Sequence, residues 1–122
     1  MFFSNYDHFV EAKTYYVKLY NYSNKKFKKK EMIPMNYLLN YVDKDVNYFE
    51  LVLLFQYGEI DWIDIEKIEN QHINQFLYSI CCLLQDLKDQ AGISHNNIHI
   101  KNIVLIEREL KLSGFKPILM SD

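Results

Sequence analysis

Glycine and proline are scarce in this 122-residue chain, which holds three of the first and two of the second. A glycine-rich phosphate loop and a long flexible linker both need such residues in clusters, so neither has the material to form. Cysteine is limited to Cys81 and Cys82. Adjacent in an apolar periodic segment, they read as small buried hydrophobes rather than a staple, and imply a reducing compartment. No run reaches the ~18 apolar residues of a membrane span. The opening Met1-Phe2-Phe3-Ser4-Asn5-Tyr6-Asp7 lacks the basic and apolar regions of a secretory signal. The expected location is therefore intracellular, cytoplasmic or nuclear, with no membrane partner. Positive charge is not in excess either. Lys and Arg number 14 against 16 Asp and Glu, a formal net charge of -2, so no global field draws the chain onto nucleic acid or anionic lipid.

What is abundant is aromatic: ten Tyr, eight Phe and one Trp. Length and ordinary hydrophobic content predict one globular domain over residues 1–122 with a single core. Phe2, Phe3, Tyr6, Phe9, Tyr15, Tyr16, Tyr20 and Tyr22 are too many for so small a core. Some are expected at the surface, where exposed aromatic area is a common signature of protein–protein contact.

Residues 9–20 mix aromatic and β-branched types with partial alternation, which predicts one or two strands. From 27 to 42, Phe27, Ile33, Leu38 and Leu39 suit a helix, kinked or restarted at Pro34. The apolar run over 48–56 predicts a strand covered on both faces. The period then changes. Ile73, Phe76, Leu77, Ile80, Leu83, Leu84 and Leu87 recur at three and four residues, predicting a long amphipathic helix over 71–89 closed by Gly92. A polar loop at 94–97, a short strand at 103–106, a turn at 107–109 and a second strand at 110–113 complete the order. The fold class is α+β.

Gly92-Ile93-Ser94-His95-Asn96-Asn97-Ile98-His99-Ile100-Lys101-Asn102, then an apolar strand, a turn, Leu110-Lys111-Leu112-Ser113 and Gly114-Phe115, form a particular succession. It resembles the protein kinase superfamily, where a long helix enters a His-Arg-Asp catalytic loop, an Asn follows, and a hairpin ends at Asp-Phe-Gly. The resemblance implies a truncated kinase-like fold, with small-lobe antiparallel strands and a helix over about 9–60. The segment after the hinge, the long helix and the catalytic-loop hairpin would occupy about 61–116. Tyr16-Val17-Lys18 would be the third small-lobe strand. Lys18 would stand where the phosphate-binding lysine lies, with Glu31 as its partner. Residues 56–62 would hold the hinge; Gly58-Glu59-Ile60-Asp61-Trp62 there, with His99 where most kinases carry Lys, is most similar to the haspin-like kinases.

The departures carry the functional expectation. The proton-accepting Asp is aligned with Asn97, an amide that cannot take a hydroxyl proton at neutral pH. The magnesium-holding Asp is aligned with Gly114, which offers no ligand. Of the set, Asn102 and Lys18 remain, as vestiges of a metal and nucleotide site. The chain also stops soon after Phe115, short of an activation segment, which implies a miniature or a truncated piece. The expectation is a catalytically inactive pseudokinase without cofactor, binding a protein as an adaptor or subunit. One alternative is a minimal haspin-like Ser/Thr kinase using ATP, magnesium and a recruited Asp61 or Asp64. Another is a nucleic-acid- or ribosome-associated factor gripping phosphate through Lys25, Lys26, Lys28, Lys29 and Lys30 around Phe27. His95 and His99 lie four apart, a spacing that on a helix would suit a metal, but a third ligand is not evident. His95 is expected to be structural, bonded within its loop.

Overall fold

The structure is a computed structural model that describes residues 1–24, 33–56, 70–106 and 109–120. It is an α+β arrangement in the order β1 (Phe2–Phe3), α1 (Tyr6–Ser23), β2 (Met35–Asp43), β3 (Tyr48–Phe55), α2 (Asn70–Ala91), β4 (Ile103–Ile106) and β5 (Glu109–Leu112). The first three strands make an antiparallel sheet ordered β1-β3-β2, and the last two a separate hairpin.

The strands expected over residues 9–20 are instead the helix α1. Asn5 starts it from an extended backbone, its side-chain oxygen accepting from the Asp7 and His8 N–H groups at 2.8 and 3.2 Å. Phe9, Ala12, Tyr15, Tyr16, Leu19, Tyr22 and Ser23 are buried. They form a stripe at three- and four-residue intervals, and burying that stripe outweighs the strand preference of single Tyr and Val residues. Lys18 accordingly sits exposed on a helix and not on a strand.

The helix expected over 27–42 is also overturned from Met35 onward; residues 27–32 lie outside the described residues. Met35 to Asp43 form β2, held opposite β3 in continuous register from Tyr37↔Leu54 to Asp43↔Tyr48. A turn at 44–47 joins the pair. There the Asp43 carboxylate accepts from the Asp45 N–H at 3.1 Å, and Asn47 takes a left-handed φ of 51°. The strand expected over 48–56 is present as β3, but only one face is covered. Phe49 and Leu51 are buried on one face while Tyr48 and Leu54 are exposed on the other, as an antiparallel sheet with one solvated face requires; Phe55 is exposed at the strand's end.

The long helix forms as α2, and the hairpin strands as β4 and β5. Residues 107–108 of the turn lie outside the described residues. Leu83 and Leu87 face inward with no exposed area, joining Leu19 of α1, Leu51 of β3 and Leu112 of β5 in one core. Each such side chain contributes roughly 1.5–3 kcal/mol relative to full exposure. The aromatic residues divide as their positions dictate: Phe9 and Phe49 stack at 5.6 Å inside, whereas Phe2 and Tyr6 are exposed. Core packing of the cysteines is overturned too, since Cys81 is exposed and Cys82 only half-buried. Among the described residues no helix is long and apolar enough to cross a membrane.

Candidate functional site

The loop between α2 and β4 folds against the segment that leaves β5. Gly92 ends α2 at φ 68°, its N–H bonded to the Lys88 carbonyl, and the buried Ile93 turns the chain inward. His95 follows, 2 % exposed. Its Nε2 lies 2.7 Å from the Ser113 carbonyl, and its Nδ1 accepts from the Asn97 N–H at 3.0 Å. This pairing satisfies both ring nitrogens in the neutral form with the proton on Nε2. Burial lowers the His95 pKa below the ordinary histidine value, and the bond to Ser113 offsets part of that shift. The imidazole packs on the buried Phe115 ring, centroids 4.4 Å apart.

Asn97, Asn102 and Gly114 meet in one knot. Asn102 donates its amide to the Asn97 carbonyl at 2.7 Å, and Asn97 donates its own amide to the Gly114 carbonyl at 3.2 Å. The Asn102 carbonyl accepts from the Ser113 N–H at 2.7 Å and its hydroxyl at 3.0 Å. Gly114 has a φ of 74°, and a Cβ there would overlap the Asn102 side chain. The resemblance thus aligned these positions with a metal site, but in place of a ligand-bearing acid there is a glycine whose missing side chain leaves room for an amide. None of these three residues carries a carboxylate, and the Asn102 amide is turned onto backbone. Among the described residues, no group of three or more His, Cys, Asp or Glu could hold a metal ion.

The other expected residues stand apart. His99 is exposed, its Nδ1 accepting from the Lys101 N–H at 3.0 Å, and does not converge with His95. Lys18 takes no part in the knot. Glu31, the residues 25–30 that hold the basic run, Asp61 and Asp64 lie outside the described residues.

Three contributors escaped the sequence reading. Tyr15 and Tyr16 of α1 bind the loop and the chain after β5: the Tyr15 hydroxyl donates to the Ser94 carbonyl at 2.6 Å, and that of Tyr16 to the Phe115 carbonyl at 3.1 Å. Burial raises both phenol pKa values, so both remain donors across the ordinary pH range. Asn96, at φ 67°, donates to the Ser94 and Lys116 carbonyls. The available signal was the adjacent Tyr pair on a helical stripe, which the strand reading concealed. Beside the loop, a cavity of about 450 Å³ is lined by Cys81, Leu84, Gln85 and Lys88 of α2 with His95 and Ile98.

No family model matches this chain, no curated protein matches it, and no solved structure matches it.

Proposed function

We propose that this chain is a kinase-like protein without phosphotransfer that acts by binding another protein, as an adaptor or a subunit of an assembly. The observation that carries it is the knot of Asn97, Asn102 and Gly114, in which the positions aligned with catalytic acids bond to one another. The order of elements supports the kinase-like part. The long helix α2, the loop after it and the hairpin of β4 and β5 follow one another as the resemblance implies. The strand it implies at Tyr16-Val17-Lys18 is part of the helix α1, so this support comes from the second half of the chain. The binding part is supported by the exposed Leu77 and Tyr78 of α2 and by Ile98 beside the loop cavity, an apolar strip of the kind that proteins cover on association.

Phosphotransfer is tested with the whole chain, magnesium, ATP and a generic protein substrate. No turnover is expected, and the melting temperature should stay unchanged at millimolar magnesium–ATP. Magnesium-dependent turnover that disappears in Asn102→Ala overturns the reading. For the binding part, affinity capture from native extract should recover a partner that Tyr78→Glu loses; capture indifferent to that change removes the α2 face from the proposal.

A further inference from the structure

The sheet ends on one side in a long strand with an open edge. β2 has β3 as its one neighbour, and among the described residues nothing pairs with its other side. Which groups face that side follows from β3. The Leu51 N–H donates to the Met1 carbonyl at 2.9 Å and the Leu51 carbonyl accepts from the Met1 amine at 2.8 Å, so the Leu51 backbone faces β1. Backbone direction alternates along a strand, so Glu50, Val52 and Leu54 face β2 and bond to Tyr41, Leu39 and Tyr37 opposite them. The intervening Leu38, Asn40 and Val42 therefore turn their N–H and C=O groups outward.

Natural edge strands are commonly blunted by lysine, proline, a bulge or shortness. β2 runs nine residues, Met-Asn-Tyr-Leu-Leu-Asn-Tyr-Val-Asp, without Lys, Arg or Pro, and its irregularity lies at the very start between Met35 and Tyr37. Tyr37, Leu39 and Tyr41 on its outward face are each about half exposed.

We infer that two copies of this chain associate by antiparallel pairing of their β2 edges, with the two-fold axis at Asn40. The sequence is complementary to itself about that residue. Leu38 falls opposite the second copy's Val42, Leu39 opposite its Tyr41, and Tyr37 opposite its Asp43, placing a phenol beside a carboxylate. Apolar residues meet apolar ones and polar meet polar at each position, the condition for favourable cross-strand pairs. The central Asn40 backbones exchange two hydrogen bonds, and Leu38 and Val42 supply the rest. Because both copies use the same edge, the contact closes at two. The far edge of the sheet, β1, spans two residues and offers little to extend it. Neighbouring registers lose this matching: a shift of the axis to Leu39 keeps the outward hydrogen bonds but sets Leu38 against Asn40 and Val42 against Asn36, apolar against polar. The inference is independent of the kinase-like reading and uses a different face from the α2 strip.

Sedimentation velocity on the full chain, from micromolar to hundreds of micromolar, tests it. The expected result is a concentration-dependent species of twice the monomer mass. Asn40→Pro removes an outward N–H that β3 does not use and should raise the dissociation constant at least about tenfold. Should that variant lose its circular dichroism, a charge pair decides. Leu39→Lys with Tyr41→Lys brings like charges together across the axis and should leave a monomer, whereas Leu39→Glu with Tyr41→Lys sets opposite charges face to face and should restore the dimer. A wild-type chain that stays monomeric throughout overturns the inference and leaves the edge to a foreign strand or to none. A dimer that withstands the Lys pair places the contact elsewhere and overturns it equally.

Discussion

Gly114 and Gly92 have nearly the same backbone angle and quite different surroundings. Both adopt left-handed φ, near 70°, where an L side chain is strained by roughly 1–2 kcal/mol. At Gly92 nothing lies within 4 Å of an added Cβ, while at Gly114 that position is taken by the Asn102 side chain. Gly92→Ala should therefore cost about that strain alone, and Gly114→Ala clearly more, because Asn102 must leave the Asn97 carbonyl. Urea unfolding of the two variants measures the difference. Gly114→Asp meets the same obstacle, so the Asn102 side chain opposes any side chain at this position. His95 makes a pH prediction. Its folded pKa lies below the unfolded value of about 6.5, so between those two values the unfolded chain binds more protons. Stability is complete above that value and is lost as pH falls through the window, since protonating Nδ1 opposes the Asn97 N–H. Unfolding free energy measured against pH should decline below about 6.5, and His95→Asn should flatten that part of the profile.

Between elements, the contacts that matter are few and specific. The Tyr15 and Tyr16 hydroxyls tie α1 to the loop and to the chain after β5, where the Glu11 carboxylate also accepts from the Met120 N–H. Tyr15→Phe and Tyr16→Phe should each cost about 0.5–1.5 kcal/mol, with the rings still filling the core. If Tyr15→Phe also speeds exchange of the Asn97 amide, the tie positions the loop as well as stabilising it. On α2 the two faces differ sharply. Leu83→Ala should cost roughly 2–5 kcal/mol because it opens a cavity in the core, whereas Leu77→Ala, half exposed, should stay within about 0.5 kcal/mol. Denaturant midpoints at constant slope provide the comparison. The α2 stripe was legible because Leu, Ile and Phe recur at helical spacing and no other period competes. α1 was not legible in the same way. Its stripe is made largely of Tyr and Phe, types that also suit strands, and only the packed neighbours decide which period is used. β2 misled for the opposite reason: Leu38 and Leu39 are good helix formers, and they become a strand because β3 is available to pair with them.

At the scale of the whole molecule, the central strand joins the parts. Leu51 is buried without exposed area, its backbone bonded to Met1, with Phe49 beside α1 and α2 packed over the same core. Hydrogen exchange should find the slowest amides at Leu51 and at Leu83 and Leu87, and faster ones at Asn97 and His99 in the exposed loop. Uniform protection through the loop would show that the knot is as rigid as the core. By itself the sequence determined the α+β class, α2 with its Gly92 cap, the strand β3 and the hairpin of β4 and β5, because each rests on spacing within a few residues or on backbone freedom at one position. Tertiary structure decided the rest. It made α1 a helix, β2 an edge strand and Cys81 a surface residue, and it set Asn102 into the space beside Gly114. Those outcomes depend on which apolar face finds a partner and which backbone groups remain unpaired, and both are properties of residues brought together from distant parts of the chain.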